Sequence, residues 1–158
     1  MHDSPSKLSP DARSAICKAL TAVLTDGLDL QSQIKVAHWN IKGPHFAALH
    51  PLFDGFATDI AGHNDEVAER VLTLGGLAVG TSRHVAKHSS LQDYPQELTQ
   101  DLEHVRQLTT RIESFLLTVR KGRDVANEHD DQDTVDQLTE VVQVFEKHAW
   151  FLRATLGE

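Results

Sequence analysis

One cysteine, Cys17, is all that 158 residues contain. A single thiol excludes an intrachain disulfide framework and a thiolate zinc site. Cys17 lies on an apolar stripe with Leu20 and Leu24, where it reads as a small buried hydrophobe. Other absences narrow the field further. No apolar run approaches the length of a membrane span. The N-terminus has no basic-then-apolar signal pattern, so the cytoplasm is the expected compartment. There is little strand signal, no glycine-rich phosphate loop, no repeat and no low-complexity stretch. Positive charge is scarce as well. The 15 bases against 23 acids leave a net charge of −8, which disfavours a general nucleic-acid surface and favours attraction of cations. Finally, no Glu-x-x-His occurs anywhere, and that motif supplies the ligands of intrachain di-iron bundles.

What is present is helical periodicity over a chain long enough for one sizeable core. Residues 1–9 are polar and contain Pro5; they read as a short mobile tail ahead of a single domain over 10–158. Ser9 and Pro10 suit the N-cap and first position of a helix ending around Trp39, before the Lys42-Gly43-Pro44 turn. A second helix covers about His45 to Leu74 and stops at Gly75-Gly76. A short extra helix is expected within 81–91. A third long helix is expected from Pro95 to Lys121, with Gly122 ending it. The acidic segment Glu128–Asp133, expected to be a solvated loop, leads to the last helix. There Val135, Leu138, Val142, Phe145, Ala149, Leu152 and Leu156 repeat in a 3-4 rhythm. The architecture is therefore all-α, a four-helix bundle.

The chemistry concentrates in five residues: His38, His50, Asp54, Asp65 and Glu69. Imidazole and carboxylate without thiol suit iron, zinc or manganese. Along the second helix, with His50 at 0°, Asp54 falls near about 40°, Asp65 near about 60° and Glu69 near about 100°. Leu49, Leu52, Phe53, Phe56, Ile60, Val67, Val71 and Leu74 gather on the opposite side, so the ligand stripe faces away from the core. His50 and Asp65 are separated by roughly 22 Å of helix, whereas metal–ligand bonds are about 2.0–2.2 Å. One straight helix cannot close both pairs on one ion. An antiparallel second copy, related by a two-fold axis near Asp59 and Ile60, would set His50/Asp54 of one chain against Asp65/Glu69 of the other. Ala57, Thr58, Ala61 and Gly62 lie between the pairs, small enough for close approach. His38, before the turn, adds a nitrogen. Pro51 either makes the helix start effectively near His50 or kinks it there. His63, His148 and the Asp101-x-x-His104 pair are expected to be structural, the last on a solvated helix face.

The segments Ala37-His-Trp-Asn-Ile-Lys-Gly-Pro44, Phe46-x-x-Leu-His50, Leu52-Phe-Asp54 and Asp65-x-x-Ala-Glu-Arg-x-x-x-Leu-Gly-Gly76 closely resemble the Dps family, the mini-ferritins or DNA-binding proteins from starved cells. The close of the chain, with Lys147, Trp150 and Phe151, resembles that family too. The resemblance implies a ferritin-like bundle with a short extra helix between helices 2 and 3, assembled as a hollow shell of twelve chains. It implies a ferroxidase site at each two-fold interface, where hydrogen peroxide or dioxygen oxidises iron, about two ions per site, for storage as ferric mineral. The family's ligands map onto His38, His50 and Asp54 of one chain and Asp65 and Glu69 of its mate. Its neighbouring tryptophan maps onto Trp39, which either serves electron transfer at the site or packs at the helix end. Some members bind DNA through lysine-rich tails. Here the first nine residues hold one Lys and one Asp, and the chain ends in Gly157-Glu158, leaving little to neutralise phosphates.

Overall fold

The computed structural model describes residues 1–158. Five helices follow in order: α1 (Pro10–Asn40), α2 (Phe46–Thr73), α3 (Ser82–His88), α4 (Asp101–Glu128) and α5 (Gln132–Leu156). The four long ones form a bundle in which α1 packs on α2 and α4, and α4 packs on α5. The short α3 sits in the crossover and rests on α1. No helix is long and apolar enough to cross a membrane.

Local chemistry accounts for most boundaries. The Ser9 hydroxyl accepts from the Ala12 amide (3.2 Å), Pro10 occupies the first turn, and Asp11 faces the positive end of the α1 dipole. At the end of α2, Gly75 takes φ of 84° and Gly76 N–H returns to the Val71 carbonyl, ending the helix in a left-handed turn. Residues of the N-terminal segment lie against this same end: His2 N–H donates to the Gly75 carbonyl and the Ser4 hydroxyl to Thr73. The core is centred on Phe53, Phe56, Phe115 and Phe145, all fully buried among leucines and isoleucines. Each such side chain contributes about 1.5–3 kcal/mol by leaving water.

Two boundaries of α4 differ from expectation. It begins at Asp101, not Pro95, because residues just before it pair with the α1–α2 turn. Lys42 N–H donates to the Thr99 carbonyl and Asp101 N–H to the Lys42 carbonyl, so these groups are unavailable to a helix. At the other end the helix runs through Gly122 to Glu128. Gly122 marks a close approach: a Cβ there would stand 3.1 Å from Val23 and 3.3 Å from Leu138.

Buried polar clamps hold the elements in register. Asp26 of α1 is buried and accepts from Ser90 N–H (2.8 Å), the Ser90 hydroxyl (2.6 Å) and the Thr118 hydroxyl (2.7 Å). One carboxylate thereby joins α1, the crossover and α4. Arg70 of α2 reaches Asp131 (2.7 Å) and the Thr134 hydroxyl (2.8 Å) at the start of α5. Asp131 is buried and caps α5, so the acidic segment is not wholly the solvated loop expected. Asp101 and His104 are likewise buried rather than on a solvated face. Asp101 accepts from the His45 amide (2.8 Å) and sits against His45 Nδ1 (2.9 Å). These bonds, the His45 amide first among them, hold its carboxyl below the usual range. His104 Nδ1 meets the Tyr94 hydroxyl at 2.7 Å.

His148 is also buried, stacked on Phe56 (centroids 4.0 Å apart) with Nε2 2.8 Å from Asp59. Burial pushes both His104 and His148 below 6.5, outweighing nearby acids. The unfolded chain therefore takes up protons that the folded one refuses as pH falls through 6.5, and stability declines in that direction. Urea midpoints measured from pH 7.5 to 5.5 should fall, with a shallower decline in His148→Gln. A midpoint that stays level, or rises, across this window would refute the assignment of neutral buried imidazoles.

Candidate metal centre

The Lys42-Gly43-Pro44 turn folds α2 back along α1 and brings the last turn of α1 against the second turn of α2. Gly43 has φ of 147°, and a side chain there would collide with the Asp101 carboxylate. Asp101 thus fixes the turn, lying against Gly43 and accepting from the His45 amide.

Two histidines meet across this junction. The His38 and His50 rings stack with centroids 3.8 Å apart and planes 23° from parallel. Their hydrogen bonds are reciprocal. His38 Nδ1 lies 2.8 Å from the His50 carbonyl, and His50 Nδ1 lies 2.9 Å from the His38 carbonyl. A carbonyl only accepts, so each Nδ1 must carry its proton. In the neutral rings this leaves the Nε2 lone pairs free, as metal-binding histidines require. Asp54 stands one turn beyond His50, with Oδ1 4.0 Å from His38 Nε2.

Lys35 completes the junction and was not anticipated. Its ammonium lies 2.7 Å from the same Asp54 oxygen, and this bond holds the Asp54 carboxyl below its ordinary range. A cation thus already faces the carboxylate beside the free imidazole nitrogens. The available signal was its position: Lys35 is three residues before His38 and shares its helix face.

Pro51 lies within α2, which starts at Phe46 and continues through it. The helix does not begin at His50. His50 is oriented instead by its bond to the His38 carbonyl.

Asp65 and Glu69 are exposed on α2. Eleven residues separate Asp54 from Asp65, roughly 16 Å along the axis, and neither acid joins the His38/His50/Asp54 group. Within one chain no three His, Cys, Asp or Glu side chains converge to hold a metal. Between the half-sites Thr58 and Gly62 are exposed and Ala61 is half-buried, while Ala57 is buried with the core rather than on the open stripe. A Cβ added at Gly62 would meet nothing within 4 Å, so the chain's own packing does not require glycine there. Beside Asp65 runs an open groove lined by Leu24, Leu28, Ala61, Ala68 and Ala78. Trp39 is 68 % exposed, which excludes core packing at the helix end within the chain.

Residues 17–158 match the family model described as a ferritin-like domain. The DNA protection during starvation protein of Agrobacterium fabrum is 35 % identical over 157 residues, covering 99 % of this chain and 97 % of that one. DNA protection during starvation protein 2 of Bacillus anthracis is 34 % identical over 143 residues, 90 % of this chain and 97 % of its own. Among solved structures, DpsC from Streptomyces coelicolor superposes with a TM-score of 0.92 at 34 % identity, covering 98 % of this chain and 90 % of that one. Mycobacterium smegmatis Dps in its tetragonal form gives 0.92 at 30 % identity, covering 98 % and 94 %.

Proposed function

Because the chain belongs to the Dps family of ferritin-like proteins, we propose that it is a ferroxidase and iron store whose oxidation sites form between two copies. His38, His50 and Asp54 of one chain and Asp65 and Glu69 of its mate are the ligands of this reading. The observation that carries it is the reciprocal histidine lock, which leaves both Nε2 atoms free at the α1–α2 junction, that of His38 4.0 Å from the exposed Asp54 carboxylate. A two-fold axis through the middle of α2 brings the distant acids of the second chain to that face. The small exposed residues between them permit the contact, and the apolar groove beside Asp65 gives a second copy something to bury.

Iron(II) enters as substrate. Imidazole nitrogens bind it while leaving positions open, and carboxylates favour the more highly charged iron(III), so the ligand set promotes electron loss. Two ferrous ions at one site supply two electrons to one hydrogen peroxide. The O–O bond is cleaved by an electron pair, giving two hydroxides and two ferric ions, and no hydroxyl radical is released. Dioxygen is the alternative oxidant. In this reading the ferric product collects as mineral inside a cytoplasmic shell of twelve chains and protects the cell from oxidative damage. Exposed Trp39, next to His38, is placed for electron transfer or for contact with the neighbouring chain. DNA association, which the names of the relatives suggest for those proteins, is disfavoured here by the net charge of −8 repeated in every subunit.

The test is anaerobic loading with Fe²⁺ followed by peroxide. The expected result is two ferrous ions consumed per peroxide, with no spin-trapped hydroxyl radical. A one-to-one ratio with radical adduct would overturn it. The same titration probes Lys35. Its ammonium must leave Asp54 when iron arrives, so Lys35→Met should tighten Fe²⁺ or Zn²⁺ binding by roughly five- to tenfold. Unchanged affinity would mean that the Lys35–Asp54 pair does not compete with the metal.

A further inference from the structure

A second pair of histidines lies outside this junction. His84 and His88 are four residues apart on α3, on one face of the helix. Their rings stack with centroids 4.3 Å apart and planes 27° from parallel. His88 Nδ1 lies 2.9 Å from the His84 carbonyl and must donate to it. The neutral His88 ring therefore presents its Nε2 lone pair, by the same main-chain device that orients His38 and His50. His88 is exposed and His84 half-buried, so solvent reaches the pair.

We propose that His84 and His88 form an imidazole-only site for a borderline divalent cation, with zinc as its type. Two histidines at this spacing are a recognised way for a helix to grip zinc, and water fills the remaining positions of the tetrahedron. Although α3 is short, it is held in place. Past its end the Ser89 hydroxyl bonds to Asp29 (2.5 Å), and Ser90 bonds to buried Asp26 through both its amide and its hydroxyl. The ligand set lacks carboxylate, and the side chains flanking the pair on the helix include Arg83 and Lys87. Neutral nitrogen donors among positive neighbours select against hard cations such as magnesium and suit zinc and copper(II) better than ferrous iron. The proposal does not depend on the ferroxidase reading.

Zinc titration of the assembled protein against a chelating dye tests it. In the native chain, His84→Ala/His88→Ala should remove one zinc per chain while leaving the rate of iron oxidation unchanged. In a His38→Ala/Asp54→Ala background, which disables the junction, that zinc should persist. Either His84→Ala or His88→Ala added there should weaken it by at least about tenfold, the scale on which even supporting partners of metal ligands act. Zinc stoichiometry and affinity that ignore both substitutions would overturn the proposal, as would a site lost only when His38 and Asp54 are replaced. Failure of the native protein to oxidise iron would count against the ferroxidase and leave the zinc result standing.

Discussion

Asp54→Ala and Glu69→Ala should each abolish peroxide-driven iron oxidation when expressed alone, yet partly rescue one another when co-assembled. The reason is the proposed division of ligands along α2. If each site draws Asp54 from one chain and Glu69 from the other, a dimer pairing the two variants has one doubly damaged site and one intact site. Random pairing in equal amounts makes about half of the dimers mixed, so about a quarter of all sites recover. A site built within one chain would recover none. The reciprocal mixture sharpens the contrast. Wild type co-assembled equally with the double variant Asp54→Ala/Glu69→Ala should keep about a quarter of its sites if they are shared, and about half if they are not. Distinguishable tags and measured oxidation per chain are sufficient. Absence of rescue in correctly assembled mixtures would sink the shared site.

The largest loss of stability is expected at Asp26. Its carboxylate accepts four hydrogen bonds in a buried setting, from Ser89, Ser90 (two) and Thr118, and joins α1 to the crossover and to α4. Asp26→Ala leaves the Ser90 amide and hydroxyl and the Thr118 hydroxyl facing a void. Bonds to a charged group and the desolvation of stranded donors together put the cost at about 3–5 kcal/mol. For a chain of this size that corresponds to a fall in Tm of roughly 6–20 °C. Thr118→Val removes one hydroxyl and leaves the Asp26 carboxylate its bonds to the crossover, so it should cost only about 1 kcal/mol. Thermal melts of the two variants under identical assembly conditions compare them directly. Equal, small shifts would show that the Asp26 cluster is not a clamp.

The bundle was largely readable because its signals are local. Ser9-Pro10 starts a helix and Gly75-Gly76 stops one by chemistry confined to a few residues, and the 3-4 rhythm from Val135 to Leu156 marks a buried face without knowledge of its partner. Errors came where distant residues decided. Gly122 carries the same letter as a helix-ending glycine, but Val23 and Leu138 make it a contact point inside α4. Pro95 looked like a helix start until the Lys42 backbone claimed the residues before Asp101. Asp101 and His104 looked solvated because their partners, His45 and Tyr94, lie on other segments. At the candidate site, the axial rise of the helix alone separated the Asp54 half from the Glu69 half. The stacking of His38 on His50 and the Lys35 ion pair required the turn to be folded.

The separation of Asp54 from Glu69 along α2 has a thermodynamic corollary. A ligand that needs both chains binds the dimer and not the monomer, so its free concentration enters the association constant directly. Each site filled at a hundred times its dissociation constant adds about 2.7 kcal/mol to the joining of two chains. If the proposed shared site is the one that takes iron, iron supply acts as mass action on quaternary structure: scarcity loosens the contact, abundance seals it, and a chelator works as a dissociating agent.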